Sequence, residues 1–185
     1  MEIGARETEC VALVNLGTID LLRARYQQAA DHLFKALALC REIGYRHGEA
    51  EALTRIGDIC RGQGRAQRAA SHLQEAVTLF REIGNRSGEA EALNSLGEAL
   101  LAGGDPGDAR AQHAAALSLA SHVGDAYEEA RAHNGLGHTC LATGDAESAG
   151  YHWSRAFALH TEIGTPEADQ VRLHLVSADD DGRDG

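Results

Sequence analysis

The stretch Arg41 to Leu53, REIGYRHGEAEAL, returns at Arg81 to Leu93 as REIGNRSGEAEAL, with two of thirteen positions changed. Sliding the chain against itself by this interval of forty residues aligns Gly17, Gly57, Gly97 and Gly137 in one series and Gly44, Gly84, Gly124 and Gly164 in another. Alanines repeat with the same period, at Ala29, Ala69, Ala109 and Ala149 and at Ala36, Ala76, Ala116 and Ala156. A period of this length is the mark of a solenoid, in which each unit stacks on its neighbours. Between these landmarks the apolar residues keep helical spacing, as in Leu13, Leu16 and Ile19, then Leu33, Leu37 and Leu39. Each unit therefore reads as a helical hairpin.

The two glycine series have different surroundings and different jobs. Gly44, Gly84 and Gly164 each follow Glu-Ile at the end of an apolar-periodic segment, where a residue free to take positive φ closes a helix. Gly17, Gly57, Gly97 and Gly137 fall inside the first helix, where glycine costs about 1 kcal/mol relative to alanine. Close approach of a neighbouring helix offsets that cost. GQGR, GGDP and ATGD mark the turns inside the hairpins, with Asp105 and Asp145 placed to cap the second helix and Pro106 in its first turn.

Composition agrees with an all-α chain. Among 185 residues aromatics make up 4%, prolines number two, and alanine and leucine abound, which favours helix over sheet. The net charge of −11 works against a phosphate backbone as direct partner, since that needs clustered Lys and Arg. No segment has the roughly 18 apolar residues of a membrane span, and MEIGARETEC is too acidic and polar for a signal peptide. A cytoplasmic location is expected, with no direct nucleic-acid or membrane partner. Cys10, Cys40, Cys60 and Cys140 show neither a CxxC pair nor metal-ligand spacing, and they read as buried packing residues. His32, His72 and His152 recur through repetition, and His133 and His138 stand five apart, not at the i, i+4 spacing that puts two imidazoles on one helix face. Neither a metal nor a cofactor is expected. No nucleophile elbow or phosphate-cradling loop stands out, so no enzyme is expected either.

The pattern Leu16-Gly17, Ala29, Leu33, Ala36 recurs as Ile56-Gly57, Ala69, Leu73, Ala76, then Leu96-Gly97, Ala109, His113, Ala116, then Leu136-Gly137, Ala149, Trp153, Ala156. It resembles the tetratricopeptide repeat. That family's usual unit is about 34 residues; here six are added, and Arg41 or Arg81 stands where the family has Pro. Such forty-residue units are similar to those of adaptors that bind G-protein α-subunits and of the C-terminal domains of actinobacterial antibiotic-regulatory-type transcription activators. The resemblance implies a right-handed α-α superhelix of about four hairpins and a C-terminal capping helix. The expected division is the end of a truncated preceding repeat and a connector in 1–9, repeats at 10–49, 50–89, 90–129 and 130–164, a capping helix at 165–177 and a disordered acidic tail at 178–185. Met1 to Gly4, which echo the Glu-Ile-Gly ending of later repeats, lead to the expectation that the chain is cut from a longer protein or has a misplaced start.

In such a superhelix first helices line the concave face. The groove candidates carried over by position are Val11, Val14, Asn15 and Thr18; Glu51, Thr54, Arg55 and Asp58; Glu91, Asn94, Ser95 and Glu98; and Arg131, Asn134 and His138. Asn15, Asn94 and Asn134 offer amides able to hold an extended peptide backbone, and Arg55 and Arg131 add a carboxylate contact. The lysine-based clamp for chaperone tails is not reproduced. The expected function is a noncatalytic scaffold that binds a protein or peptide segment, or another domain of its parent, in the groove. The alternatives are self-association through solenoid ends, with Val11, Leu13 and Val14 lacking a neighbour, and a receptor for a small signalling peptide.

Overall fold

A computed structural model describes residues 2–181, and the side chains of residues 4–176. Nine helices account for the described residues: α1 (Glu2–Leu22), α2 (Tyr26–Ile43), α3 (Arg46–Gly62), α4 (Ala66–Glu82), α5 (Arg86–Ala102), α6 (Pro106–Val123), α7 (Ala126–Ala142), α8 (Ala146–Ile163) and α9 (Glu167–Asp181). They pack in chain order as four hairpins followed by α9. First helices also touch one another, α1 on α3, α3 on α5 and α5 on α7, which places them on the inside of the stack.

The second glycine series closes helices as its setting predicts. Gly44, Gly84, Gly124 and Gly164 have φ of 70° to 74°. The next residue's N–H then reaches back to the carbonyl five residues before it, as in Tyr45 to Cys40 at 2.8 Å and Thr165 to His160 at 3.0 Å. This pairing satisfies a carbonyl that the helix end would otherwise orphan. The first series answers to close approach. A methyl group on Gly57 would sit 2.5 Å from Leu73 Cγ, and one on Gly97 would meet the His113 ring at 2.6 Å. The bulky residue between the two alanines of each second helix is thus a knob seated on the glycine of the first.

Several boundaries differ from expectation. Repeats break at Gly44, Gly84 and Gly124, so the expected limits at 49/50, 89/90 and 129/130 fall inside the first turns of α3, α5 and α7. Residues 2–9, part of the expected connector, belong to α1, which runs unbroken from Glu2. Ala5 stands where Asn85 and Asp125 cap their helices, and alanine continues a helix rather than starting one. Helix α9 runs to Asp181, past the expected end at 177; of the expected tail, 182–185 lie outside the described residues. Asp145 caps α8 by accepting the Ser148 N–H at 3.0 Å, whereas Asp105 makes no side-chain cap and leaves the start of α6 to Pro106.

The core is one cluster running from Val14 to Ala132, with a second around Trp153 and Val171 that seats α9. The four cysteines are buried and free. On α1, Val14 is buried and Leu13 half-buried, contrary to the expected bare patch. The exposed apolar face consists instead of Val11, Leu16, Ile19 and Leu22.

Candidate functional site

The inner face of the first helices forms a concavity of about 640 Å³, which α9 borders at its C-terminal end through Glu167, Gln170 and Val171. Seven expected groove residues come together there: Thr18, Arg55, Asp58, Glu91, Glu98, Arg131 and Asn134. The hairpin repeat explains the convergence, since positions forty residues apart on α1, α3, α5 and α7 face the same axis.

Most of these side chains are held by one another. Arg55 pairs with Glu91 at 2.5 Å and with Asp58 at 3.4 Å. Arg61 approaches Asp58 at 3.8 Å and Glu98 at 3.1 Å. Arg131 reaches Glu98 at 2.8 Å, Glu128 at 3.2 Å and the Ser95 hydroxyl at 3.3 Å. The network thus crosses three consecutive first helices. Burial opposes the Arg131 charge, but Glu98, Glu128 and Asp58 outweigh it and raise its pKa well above the usual arginine value. Burial pushes the Asp58 carboxyl up despite Arg55 and Arg131, and does the same to Glu128 despite Arg131. Glu98, caught between Arg131 and Arg61, ends below its ordinary value even though burial works the other way.

Four expected residues fall elsewhere. Asn94 is fully buried: its Nδ2 donates to the Glu128 carbonyl and to Glu128 Oε2, each at 2.9 Å, and its Oδ1 lies 3.1 Å from His113 Nδ1. Its hydrogen-bonding capacity is spent inside the fold, so it is not a groove contact. The acceptor Oδ1 requires the proton of His113 on Nδ1, and burial lowers the pKa of this histidine to about 4, which keeps it neutral. Glu51 borders a smaller hollow of about 170 Å³ and faces His47 at 3.4 Å. Asn15 is exposed on α1 and does not line the main concavity. His138 turns to α8 and α9, its ring 5.4 Å from Trp153 and 4.6 Å from His174. Arg55 and Arg131, expected to contact a ligand's carboxylate, pair here with carboxylates of the chain itself. Of the remaining candidates Val14, Thr54 and Ser95 are buried and Val11 is exposed.

Sequence reasoning missed Arg61, Glu128, Tyr26, Tyr127, His160 and Glu167, all of which line the concavity. The i, i+3 spacing of Asp58 with Arg61 and of Glu128 with Arg131 was the available signal for two of them. Glu167 enters from α9, outside the repeat register, and accepts the Tyr127 hydroxyl at 3.1 Å. Among the described residues no group of three His, Cys, Asp or Glu side chains is placed to hold a metal ion, and no helix is long and apolar enough to cross a membrane.

No curated protein matches the chain in sequence. Solved structures do match its fold. A Rap protein complexed with competence and sporulation factor superposes with a TM-score of 0.82 at 18% identity, over 92% of this chain and 48% of the Rap chain. The apo form of RapI gives 0.75 at 13% identity, over 95% and 49%. BtubC from P. vanneervenii gives 0.67 at 17% identity, over 95% and 81%. The chain therefore spans about half the length of the Rap structures it matches. The tetratricopeptide-repeat profile matches residues 8–82 and 50–122, more than half of the chain and in register with its hairpins, and the chain belongs to the tetratricopeptide-repeat family.

Proposed function

We propose that the chain is a noncatalytic interaction scaffold that holds a peptide or protein segment in its concave face. The observation that carries this reading is the concavity itself: first helices of all four hairpins reach one hollow of about 640 Å³, whose arginines are already held by ion pairs. A preorganised polar hollow with apolar walls at Leu21, Leu22 and Val171 loses little side-chain entropy when a segment enters it. A similar fold, that of the Rap protein, is complexed with a factor, which supports a binding role for this one. Within a longer parent, the module belongs to a bacterial signalling or transcription-regulatory protein of the cytoplasm and acts by binding a partner or another domain of that parent.

The test is photocrosslinking in source-cell lysate, with benzoylphenylalanine replacing Asn134 in the hollow or Ala111 on the exposed face of α6. Adducts with a defined polypeptide segment are expected from position 134 and not from 111. Equal labelling from both, or none from 134, would sink the reading.

A second reading, self-association through the α1 end, has its own observation. Leu16 and Ile19 are 46% and 45% exposed, whereas their repeat equivalents Ile56, Leu96, Ile59 and Ala99 are 4% exposed or less. A mass by light scattering that stays monomeric at high concentration removes it.

A further inference from the structure

We infer that the segment taken up by the concavity carries a cationic side chain, lysine or arginine, directed at the acceptors of α3 and α9. This inference rests on the groove reading and names the chemistry of its ligand.

Three observations lead there. First, every guanidinium lining the hollow is already engaged: Arg55 with Glu91, Arg61 with Glu98, and Arg131 with Glu98 and Glu128. An incoming carboxylate would have to compete with a carboxylate that is covalently part of the fold and already in place. Second, the lining holds five carboxylates against those three guanidiniums, and among the described residues Glu167 forms no ion pair with an arginine or lysine; it accepts the Tyr127 hydroxyl and has the His160 imidazole near it. The hollow is therefore net negative, and low-dielectric walls focus that potential. Third, Asp58 Oδ1, Asn134 Oδ1 and Glu167 Oε2 are buried acceptors without a hydrogen-bond donor. Asp58 Oδ1 lies 3.8 Å from Arg61 Nη2, too far for a hydrogen bond. Buried acceptors are almost always paired in folded proteins, and leaving one unpaired is costly. Arg61 Nε is the orphaned donor in the same lining, so acceptors outnumber donors three to one.

A ligand ammonium or guanidinium supplies what is missing. It brings several N–H donors and the charge that offsets the excess carboxylates, and its bonds are of the stronger, charge-assisted kind. Its aliphatic stem matches the apolar wall. The raised pKa of Asp58 agrees with a carboxylate whose surroundings do not yet fully compensate it.

The experiment uses the full 185-residue chain, immobilised, and a synthetic pentapeptide library in which each position is fixed in turn as Arg, Lys, Gln or Glu, with blocked termini. Peptides fixed as Arg or Lys are expected to bind at least tenfold more tightly than the Gln and Glu series. Glu167→Gln should reduce that preference at least threefold and Asn134→Asp should enlarge it, while Glu82→Gln on the outer face leaves it unchanged. Equal retention of the Gln series, or selection of the Glu series, overturns the inference and leaves the groove reading standing. If no peptide binds, or binding survives the hollow-filling Asn134→Trp variant, the groove reading fails and this inference with it. Free spermidine is run as competitor: displacement at concentrations equal to the peptide's would assign the site to a free polyamine and overturn the peptide assignment.

Discussion

Asn94 and His113 show how one residue pair can be exchanged within a repeated frame. The first hairpin places Val14 over Leu33 at these positions, the second Thr54 over Leu73, and the third the polar pair. His113 Nδ1 donates to Asn94 Oδ1 and Asn94 Nδ2 donates to Glu128, so both ends of the amide are paired, while His113 Nε2 stays a buried acceptor without a donor. The folded pKa of His113 is about 4 against an ordinary 6.5. The unfolded chain therefore binds the proton first as pH falls. The stability this residue contributes is present above pH 6.5 and is lost as pH falls through 4, with an upper bound of about 3 kcal/mol. In urea titrations at pH 7 and pH 4.5 the wild type should lose this share, and His113→Leu should lack it. The variant should also be about 1–3 kcal/mol less stable at pH 7, because Asn94 Oδ1 is left unpaired. Adding Asn94→Val, which restores the first hairpin's pair, should recover part of that loss. A pH dependence unchanged in His113→Leu would refute the account.

At the scale of the element, the turn inside each hairpin has one irregularity. Gly64, Gly104 and Gly144 take φ of 72°, 90° and 84°, while the first hairpin has Ala24 at φ 55° in the same place. Its Cβ is strained there by about 1 kcal/mol, against a smaller unfolded-state entropy cost for glycine. Ala24→Gly is expected to raise stability by about 0.5 kcal/mol, read as a higher urea midpoint at constant slope; a lower midpoint would show that the turn is not the strained element. The hairpins were legible in the sequence because such turns and their glycines recur every forty residues. The start of α1 was not, because Glu2 to Gly4 echo a helix ending while Ala5 lacks the side chain that would begin a new helix. The site was legible only in part. Repeat position singled out Arg55, Asp58, Glu98 and Arg131, which line the hollow. It gave no view of the contacts among them, and the burial of Asn94 was signalled only by the Val and Thr at its equivalents. Glu167 lay beyond reach, since α9 follows no repeat.

For the whole molecule, ion pairs on the inner face tie successive hairpins together. Glu98 on α5 forms an ion pair with Arg61 on α3 and accepts from Arg131 on α7, joining three hairpins through one carboxylate whose side chain is 30% exposed. On the outside, Arg46 pairs with Glu82 within the second hairpin, where both side chains are about half exposed and solvent screens most of the attraction, so this pair ties no two hairpins together. A solenoid's cooperativity depends on the interfaces between neighbouring units, so these two carboxylates should differ in more than local stability. Glu98→Gln leaves two partly buried guanidiniums short of a partner and is expected to cost roughly 2 kcal/mol after allowance for its partial exposure. It should also broaden the urea transition, because the hairpins on either side of α5 lose their common tie. Glu82→Gln should cost well under 1 kcal/mol and leave the transition as sharp as in the wild type. Urea unfolding followed by circular dichroism and by Trp153 fluorescence distinguishes the two cases, since the single tryptophan reports the fourth hairpin while dichroism reports the whole stack. In Glu98→Gln the two signals should separate, with fluorescence changing first. Coincident curves in both variants would mean that apolar packing between layers, and not the inner ion network, carries the coupling along the stack.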